Sequence, residues 1–368
     1  MLQTCNAILV NFSLDEFLIT NGFFNLQWIS YRSLIITCSF KEAKLFSEVV
    51  GLQQQKSDSG VVFPAVLFPN PNASKPVQLT DAIKANKPWL DSLLHRSGAI
   101  LFRGFPVSTA SDFNDVVVSS GYDDFSYGAG GSGTRTKVCD RVYTANEAPP
   151  DQMIGFHHEL SHASEFPSKL FFFCEIEPGS GGETCIVLSH VIYEKMKRKH
   201  PELVEQMEEK GLIYNRVIGK EFDPSSPVGR GWKGTFMTDD KSVAEERATK
   251  LGMKLEWMGD DVKVIIGPKP SFRYNESRQE KTWFNGLAIS YGGLRDKLNN
   301  DPTKAVVFGD GKPLPPDDVH DLLKMLDEEC VALQWRTGDV LLLDNMAVLH
   351  ARLPLLAPPR RILASFCK

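Results

Sequence analysis

The 368-residue sequence predicts a mainly β fold with flanking helices (α+β), built as a double-sheet barrel or jelly roll. Short apolar runs bounded by glycine or proline dominate the second half of the chain. Helix-like segments lie outside these runs, and long connections separate the strands that would have to pair. Together these observations favour two facing sheets over a parallel doubly wound sheet.

From Phe63 onward the sequence consists of short apolar runs bounded by proline, and the first predicted elements come after them. Residues 81–96 have apolar side chains at helical spacing, and Gly98 follows them as a C-cap glycine would. Residues 99–105 form an apolar run that ends in a glycine turn, which predicts a buried strand. A second helix is predicted from about residue 110 to 120.

Later elements are marked by turn residues. Two strand-like runs, 169–176 and 183–188, are joined by Pro-Gly-Ser-Gly-Gly, which predicts a β-hairpin. Helices are predicted over 189–211, broken at Pro201, and over 316–329. The C-terminal strands are predicted at 331–335, 340–343, 347–349 and 362–366.

Composition excludes several classes of protein. With 42% hydrophobic and 24% charged residues the chain is globular, and its net charge of −5 argues against nucleic-acid binding. The seven cysteines are widely spaced without a Cys-x-x-Cys pair, which argues against a disulfide framework and a cysteine zinc site. We therefore expect reduced thiols and a cytoplasmic protein.

Residues 1–44 differ from the rest of the chain. They are rich in Phe, Leu, Ile and Trp, and residues 17–31 carry no charge, but Asn21, Gly22 and Asn25 interrupt the apolar run. It resembles neither a membrane span nor a signal peptide. We expect an N-terminal extension at 1–44, whose role the sequence leaves open, and a single domain at 45–368 without membrane association.

The densest cluster of polar groups predicts a metal centre. On a strand, His157 and Glu159 point the same way and His158 the other. His350 follows an apolar strand-turn-strand segment, from which it could supply a third ligand. Two imidazoles and one carboxylate form the facial site of non-haem Fe(II) oxygenases, which leaves positions open for a chelating co-substrate and O₂.

A co-substrate site is predicted close to this centre. Arg361 follows His350 by eleven residues, and its guanidinium could bind the far carboxylate of a dicarboxylic keto acid, which selects 2-oxoglutarate. Thr184 could add a hydroxyl to the same carboxylate. Arg360 should face the opposite way, and loss of Arg361 should weaken 2-oxoglutarate binding far more than iron binding.

The ordered set of motifs from Phe63 to the C-terminus resembles the iron- and 2-oxoglutarate-dependent dioxygenases of the taurine dioxygenase group, most closely the plant clavaminate synthase-like proteins. The shared motifs are Phe102–Phe105, Gly181–Thr184, Gly338–Val340 and Asp344–Asn345, besides the ligands. The resemblance implies a double-stranded β-helix core, iron on His157, Glu159 and His350, and 2-oxoglutarate on Arg361 and Thr184. Glu159 stands where the family more often has Asp.

The implied reaction converts 2-oxoglutarate and O₂ to succinate and CO₂ while a small metabolite, of amino-acid or carboxylate type, is hydroxylated, desaturated or cyclised. The identity of this metabolite and the oligomeric state of the protein stay open. Two alternative functions also stay open: a cupin-type or zinc enzyme without 2-oxoglutarate, and a non-catalytic metal-binding or interaction protein.

An insertion over about 215–315 should cover the barrel mouth. Candidate pocket residues are the glycine loop 128–133, Arg141, Asn146 and Trp283–Asn285.

Overall fold

The computed structural model describes residues 45–49, 55–58, 61–126 and 135–368. The predicted N-terminal extension, residues 1–44, and the glycine loop 128–133 lie outside these ranges. Within them, no helix is both long enough and apolar enough to cross a membrane.

The described strands are mostly short, as the sequence predicts. In chain order they are β1 (Phe46–Glu48), β2 (Lys56–Asp58), β3 (Val61–Phe63), β4 (Ala65–Pro69), β5 (Ala99–Phe102), β6 (Lys137–Cys139), β7 (Val142–Thr144), β8 (Ile154–His157), β9 (Lys169–Ile176), β10 (Ser180–Gly181), β11 (Thr184–Leu188), β12 (Leu212–Ile218), β13 (Met253–Met258), β14 (Asp261–Lys269), β15 (Arg273–Asn275), β16 (Glu280–Thr282), β17 (Val306–Phe308), β18 (Val331–Leu333), β19 (Val340–Asp344), β20 (Val348–Arg352), β21 (Leu355–Ala357) and β22 (Arg361–Cys367).

The helices lie between these strands in sequence and include every helix that the sequence predicts. They are α1 (Leu79–Ser97), α2 (Ala110–Ser119), α3 (Ser189–Lys199), α4 (Pro201–Lys210), α5 (Trp232–Phe236), α6 (Lys241–Lys250), α7 (Leu287–Gly292), α8 (Pro302–Ala305) and α9 (Pro316–Glu329). Gly98 ends α1 in the left-handed conformation, φ 75°, and donates its N–H to Leu94 O. Pro201 separates α3 from α4 because it fits the first turn of a helix but not its interior.

Two sheets form the barrel. One has eight strands in the order β1-β4-β5-β19-β9-β22-β7-β6, and the other has four in the order β18-β11-β20-β8. Apolar side chains of both sheets, such as Leu341, Phe172 and Ile186, share one buried cluster between them. This confirms the predicted jelly-roll class.

Helices cover the outer faces of both sheets. Phe113 of α2 and Leu90 of α1 pack with Leu342 outside the large sheet, while Tyr193 of α3 and Leu322 of α9 pack outside the small one. Strand β19 is therefore buried on both faces, which explains its continuous apolar sequence. Burial on both faces also removes the alternation that would show which side faces the barrel interior.

The predicted hairpin over 169–188 is wrong. Strand β9 pairs with β19 and β22 in the large sheet, whereas β11 pairs with β18 and β20 in the small one. The intervening Gly181 and Gly182 have φ values of 70° and 67°, and β10 pairs with β21. A glycine-rich connection permits a crossing between sheets as readily as a tight hairpin, so composition alone did not separate the two.

A buried ion pair ties two of the sequence motifs together. Arg103 donates from Nε and Nη2 to the two carboxylate oxygens of Asp339, at 2.9 and 2.6 Å, and Asp339 is 1% exposed. The same carboxylate accepts the Arg336 N–H at 2.9 Å. Arg103 thereby fixes the turn between β18 and β19 against the end of β5.

We expect Asp339→Ala to lower the free energy of unfolding by about 3 kcal/mol or more, because removal of one partner leaves the Arg103 charge without its counterion. Urea unfolding followed by circular dichroism measures the change. Lys250→Ala is the control, since that side chain is 71% exposed in its pair with Glu246 and should leave stability unchanged. Equal midpoints for Asp339→Ala and the unmodified protein would contradict the role of the pair.

Candidate active site

His157, Glu159 and His350 converge inside the barrel. Their ligand atoms lie within 4.8 Å of one another. The Nε2 atoms of His157 and His350 are 3.8 and 3.9 Å from Glu159 Oε2, less than twice a metal–ligand bond of about 2.1 Å. One ion can therefore contact all three side chains.

The strands place each ligand for a local reason. His157 ends β8 and lies opposite His350 in the β8–β20 pairing. Glu159 follows in a turn, where its N–H donates to Asn345 Oδ1 at 2.9 Å and its carbonyl accepts from Asn345 Nδ2 at 3.1 Å. Asn345, from the Asp344–Asn345 motif, thus fixes the backbone that carries the carboxylate.

The opposite orientation predicted for His158 is also found. Its ring is turned into the core, where it stacks on Phe284 with ring centroids 4.5 Å apart and contacts the carbonyl oxygens of Asn345 and Trp283. Burial lowers the pKa of His158 to about 3, so the ring is neutral. His158 supports the site from behind rather than facing the other two imidazoles.

The protonation states suit a cation. Burial raises the pKa of Glu159, but Arg135 and the two histidines lower it by more than burial raises it. The net pKa is below the usual value, so the carboxylate stays ionised. Burial, aided by His157, holds the pKa of His350 well below its usual value. His157 Nδ1 donates to Gly155 O at 2.9 Å, which turns Nε2 toward the carboxylate of Glu159. Two imidazoles and one carboxylate are a donor set that fits Fe(II).

A cavity of about 310 Å³ opens from this cluster to the surface. Its inner wall carries Thr184, Phe172, Arg352, Arg360 and Ile362. Its outer wall comes from the predicted insertion, chiefly from β12, from the loop 222–229 and from residues 286–305. This volume lies at the lower end of the range for small-molecule sites.

The predicted co-substrate arginine requires a correction. Arg361 points away from the cavity, is 47% exposed and pairs with Glu175 at 2.5 Å between Nη1 and Oε2. Arg360 is the residue that lines the cavity, so the alternation was right but the inward face was wrong. Leu363, on the same face of β22 as Arg361, packs against the helices outside the large sheet. Ile362, on the same face as Arg360, packs between the two sheets.

Arg360 lies across the glycine motif that precedes Thr184. Its Nε donates to Gly182 O at 2.8 Å, and a Cβ on Gly182 would come within 2.7 Å of Arg360 Cδ. A side chain at position 182 would therefore displace the arginine. Burial, aided by Arg352, lowers the pKa of Arg360 to about 10, so it is still a cation at neutral pH.

Arg135 and Arg352 also line the cavity and were missed from the sequence. Arg135 Nη2 contacts Glu159 Oε2 at 2.9 Å, and its Nη1 donates to Ala145 O. Arg352 donates to Asn146 Oδ1 and to carbonyl oxygens of the preceding loop, which it holds against β20. Arg352 follows His350 by two residues on the same strand, and that spacing could have identified it.

Only some of the pocket residues that were predicted from their position in the sequence line the cavity. Asn146 lines the cavity. Arg141 lies outside the cavity lining and donates to Tyr122 O at 3.0 Å. Trp283–Asn285 are buried behind the cavity, and only the next residue, Gly286, reaches it.

Comparison with known proteins identifies the family. Residues 66–366 match the family model described as taurine catabolism dioxygenase TauD, TfdA family. The chain is 59% identical over 333 residues to a clavaminate synthase-like protein of Arabidopsis thaliana, covering 89% of this chain and all of that protein. It is 28% identical over 276 residues to the dapdiamide synthesis protein DdaC of Enterobacter agglomerans, covering 72% and 80% of the two chains.

Among solved structures, PvcB of Pseudomonas aeruginosa matches with a TM-score of 0.47 and 16% identity, covering 86% of this chain and 92% of that one. The family assignment depends on the sequence matches, which extend over most of the chain. The chain therefore belongs to the TauD/TfdA family of iron- and 2-oxoglutarate-dependent dioxygenases.

Proposed function

We propose that His157, Glu159 and His350 hold the catalytic Fe(II). The observation that carries this proposal is the convergence of their ligand atoms within 4.8 Å in the same cavity as a buried arginine, Arg360. Iron bound there supplies the oxidising chemistry that converts 2-oxoglutarate and O₂ to succinate and CO₂ while the substrate is oxidised. Asn345 and Arg135 keep the carboxylate in place for that metal.

We further propose that Arg360 and Thr184 bind the distal carboxylate of 2-oxoglutarate. Arg360 uses Nε on Gly182 O, which leaves the terminal nitrogens available to a carboxylate in the cavity. A guanidinium paired with a carboxylate in a buried site gives strong, oriented binding. The role first predicted for Arg361 thus passes to its neighbour, and Thr184 keeps its predicted role.

The apolar residues around the centre exclude water from the reacting groups. Leu160, Phe172 and Ile362 line the inner cavity, and Phe172 lies 5.5 Å from the His350 ring between centroids. Exclusion of water strengthens the electrostatic contacts of Arg360 with its ligand.

The substrate we propose is a small carboxylate or amino-acid-like metabolite that is hydroxylated. The cavity lining holds five arginines, including Arg135, Arg352 and Arg360, and three carboxylates, Glu147, Glu159 and Asp301, so its cations outnumber its carboxylates even before a metal binds. Apolar residues of the insertion, including Val228, Ile289 and Leu294, line the outer part and would contact the rest of the molecule. An anionic head with a partly apolar body fits both regions.

We propose the cytoplasm as the compartment. Within the described ranges, Cys139, Cys174, Cys185, Cys330 and Cys367 are free thiols. Free thiols are typical of a reducing compartment.

Anaerobically purified protein loaded with Fe(II) should release succinate slowly from 2-oxoglutarate when O₂ is admitted, because these enzymes turn over the co-substrate without substrate at a low rate. Chromatography of succinate measures this. A screen of small carboxylates and amino acids should then identify compounds that raise the rate. Absence of succinate under all these conditions would contradict the proposed reaction and favour the metalloenzymes that use no keto acid.

A further inference from the structure

Trp335 contacts the hydroxyl group proposed to bind the co-substrate. It follows β18, is 5% exposed and donates from Nε1 to Thr184 Oγ1 at 3.0 Å. An indole N–H can only donate, so the threonine oxygen accepts this bond and its own hydrogen remains for another acceptor. In the described part of the chain, no acceptor for that hydrogen is found. Thr184 lines the cavity, where a carboxylate would supply one.

Trp335 is held rigidly on both sides. Before it, Leu333 pairs with Thr184 in the β18–β11 ladder, and Gln334 O accepts from Arg103 Nη2 at 2.8 Å. After it, the Arg336 N–H donates to Asp339. The Arg103–Asp339 ion pair therefore fixes the segment that carries the indole.

We propose that Trp335 is a positioning residue for 2-oxoglutarate. By donating to Thr184 Oγ1, the indole directs the hydroxyl hydrogen toward the distal carboxylate that Arg360 binds. The hydroxyl then acts as a fixed donor and does not rotate between partners. This inference rests on the proposed function of Thr184 and Arg360. It extends that function to a residue that contacts the co-substrate only through another side chain.

The test compares 2-oxoglutarate binding to anaerobic, Fe(II)-loaded protein by calorimetry. Trp335→Phe keeps most of the ring and removes the N–H, so we expect binding to weaken about five- to tenfold with iron content unchanged. Thr184→Val should weaken binding at least as much. In the double variant, Trp335→Phe should have no additional effect, because its influence passes through the hydroxyl that valine lacks.

Trp232→Phe is the matched control. Trp232 is 2% exposed and its Nε1 donates to Asp260 O at 3.0 Å, outside the cavity lining. Loss of that bond should leave 2-oxoglutarate binding unchanged. The proposal is wrong if Trp335→Phe binds 2-oxoglutarate normally. It is also wrong if Trp335→Phe weakens binding by the same factor in the Thr184→Val variant as in the unmodified protein. Failure of the unmodified protein to bind 2-oxoglutarate would instead reject the proposed function, and the inference with it.

A second measurement does not depend on folding of the Trp335 variant. In protein labelled with ¹⁵N-tryptophan and loaded with diamagnetic Zn(II), one indole N–H signal should move in Thr184→Val. The same signal should move when 2-oxoglutarate is added to the unmodified protein. An indole signal that responds to the valine substitution but not to 2-oxoglutarate would contradict the proposal.

Discussion

Arg360→Gln should weaken 2-oxoglutarate binding by about 30-fold or more, whereas Arg361→Gln should leave it unchanged. Truncating one partner of a buried, hydrogen-bonded charge pair costs about 2–5 kcal/mol, and each 1.4 kcal/mol is tenfold in affinity. Arg360 lines the cavity, while Arg361 lies outside the lining and is 47% exposed beside Glu175. Calorimetry on the anaerobic Fe(II)-loaded proteins measures both variants.

The adjacent arginines make this a closely matched pair. Both variants remove one positive charge and should retain full iron content, because neither residue belongs to the predicted ligand set. Arg360→Lys should bind with intermediate affinity, since it keeps the charge but loses the planar fork. Weakening by Arg361→Gln with normal binding by Arg360→Gln would restore the original prediction for Arg361 and contradict the inward face of β22.

Alanine at His157, Glu159 or His350 should abolish stoichiometric iron binding and reduce succinate formation to background. Mutation of a residue that only hydrogen-bonds to a metal ligand lowers metal affinity about 10–100-fold, so loss of a ligand itself should lower the affinity by more than that. Glu159→Asp should retain weakened binding, because the carboxylate moves back by one methylene from the shared point. Metal analysis after anaerobic dialysis measures the effect.

His190→Ala is the control for these ligand variants. His190 lies outside the cavity lining, and its Nδ1 is 3.5 Å from Glu280 Oε1. Its removal should leave iron content and succinate formation normal. Full iron content in His350→Ala would show that the metal binds elsewhere, and would overturn the proposed centre.

Local sequence determined much of the framework. The end of α1 at Gly98 and the break between α3 and α4 at Pro201 both follow from backbone preferences that do not depend on distant residues. The convergence of His157 with Glu159 was also predictable, because alternate residues of an extended segment point the same way. The strand-turn-strand segment before His350 is local in the same sense.

Only the tertiary structure decided the partners across the chain. The choice between Arg360 and Arg361 depends on which face of β22 turns inward, and β22 is apolar on both faces. Strands β9 and β11 belong to different sheets, which a glycine-rich connection does not reveal. Trp335 and Arg135 reach the site from other parts of the chain, where they contact Thr184 and Glu159. Periodicity records burial at each position, but the neighbour across the barrel depends on how the two sheets pack.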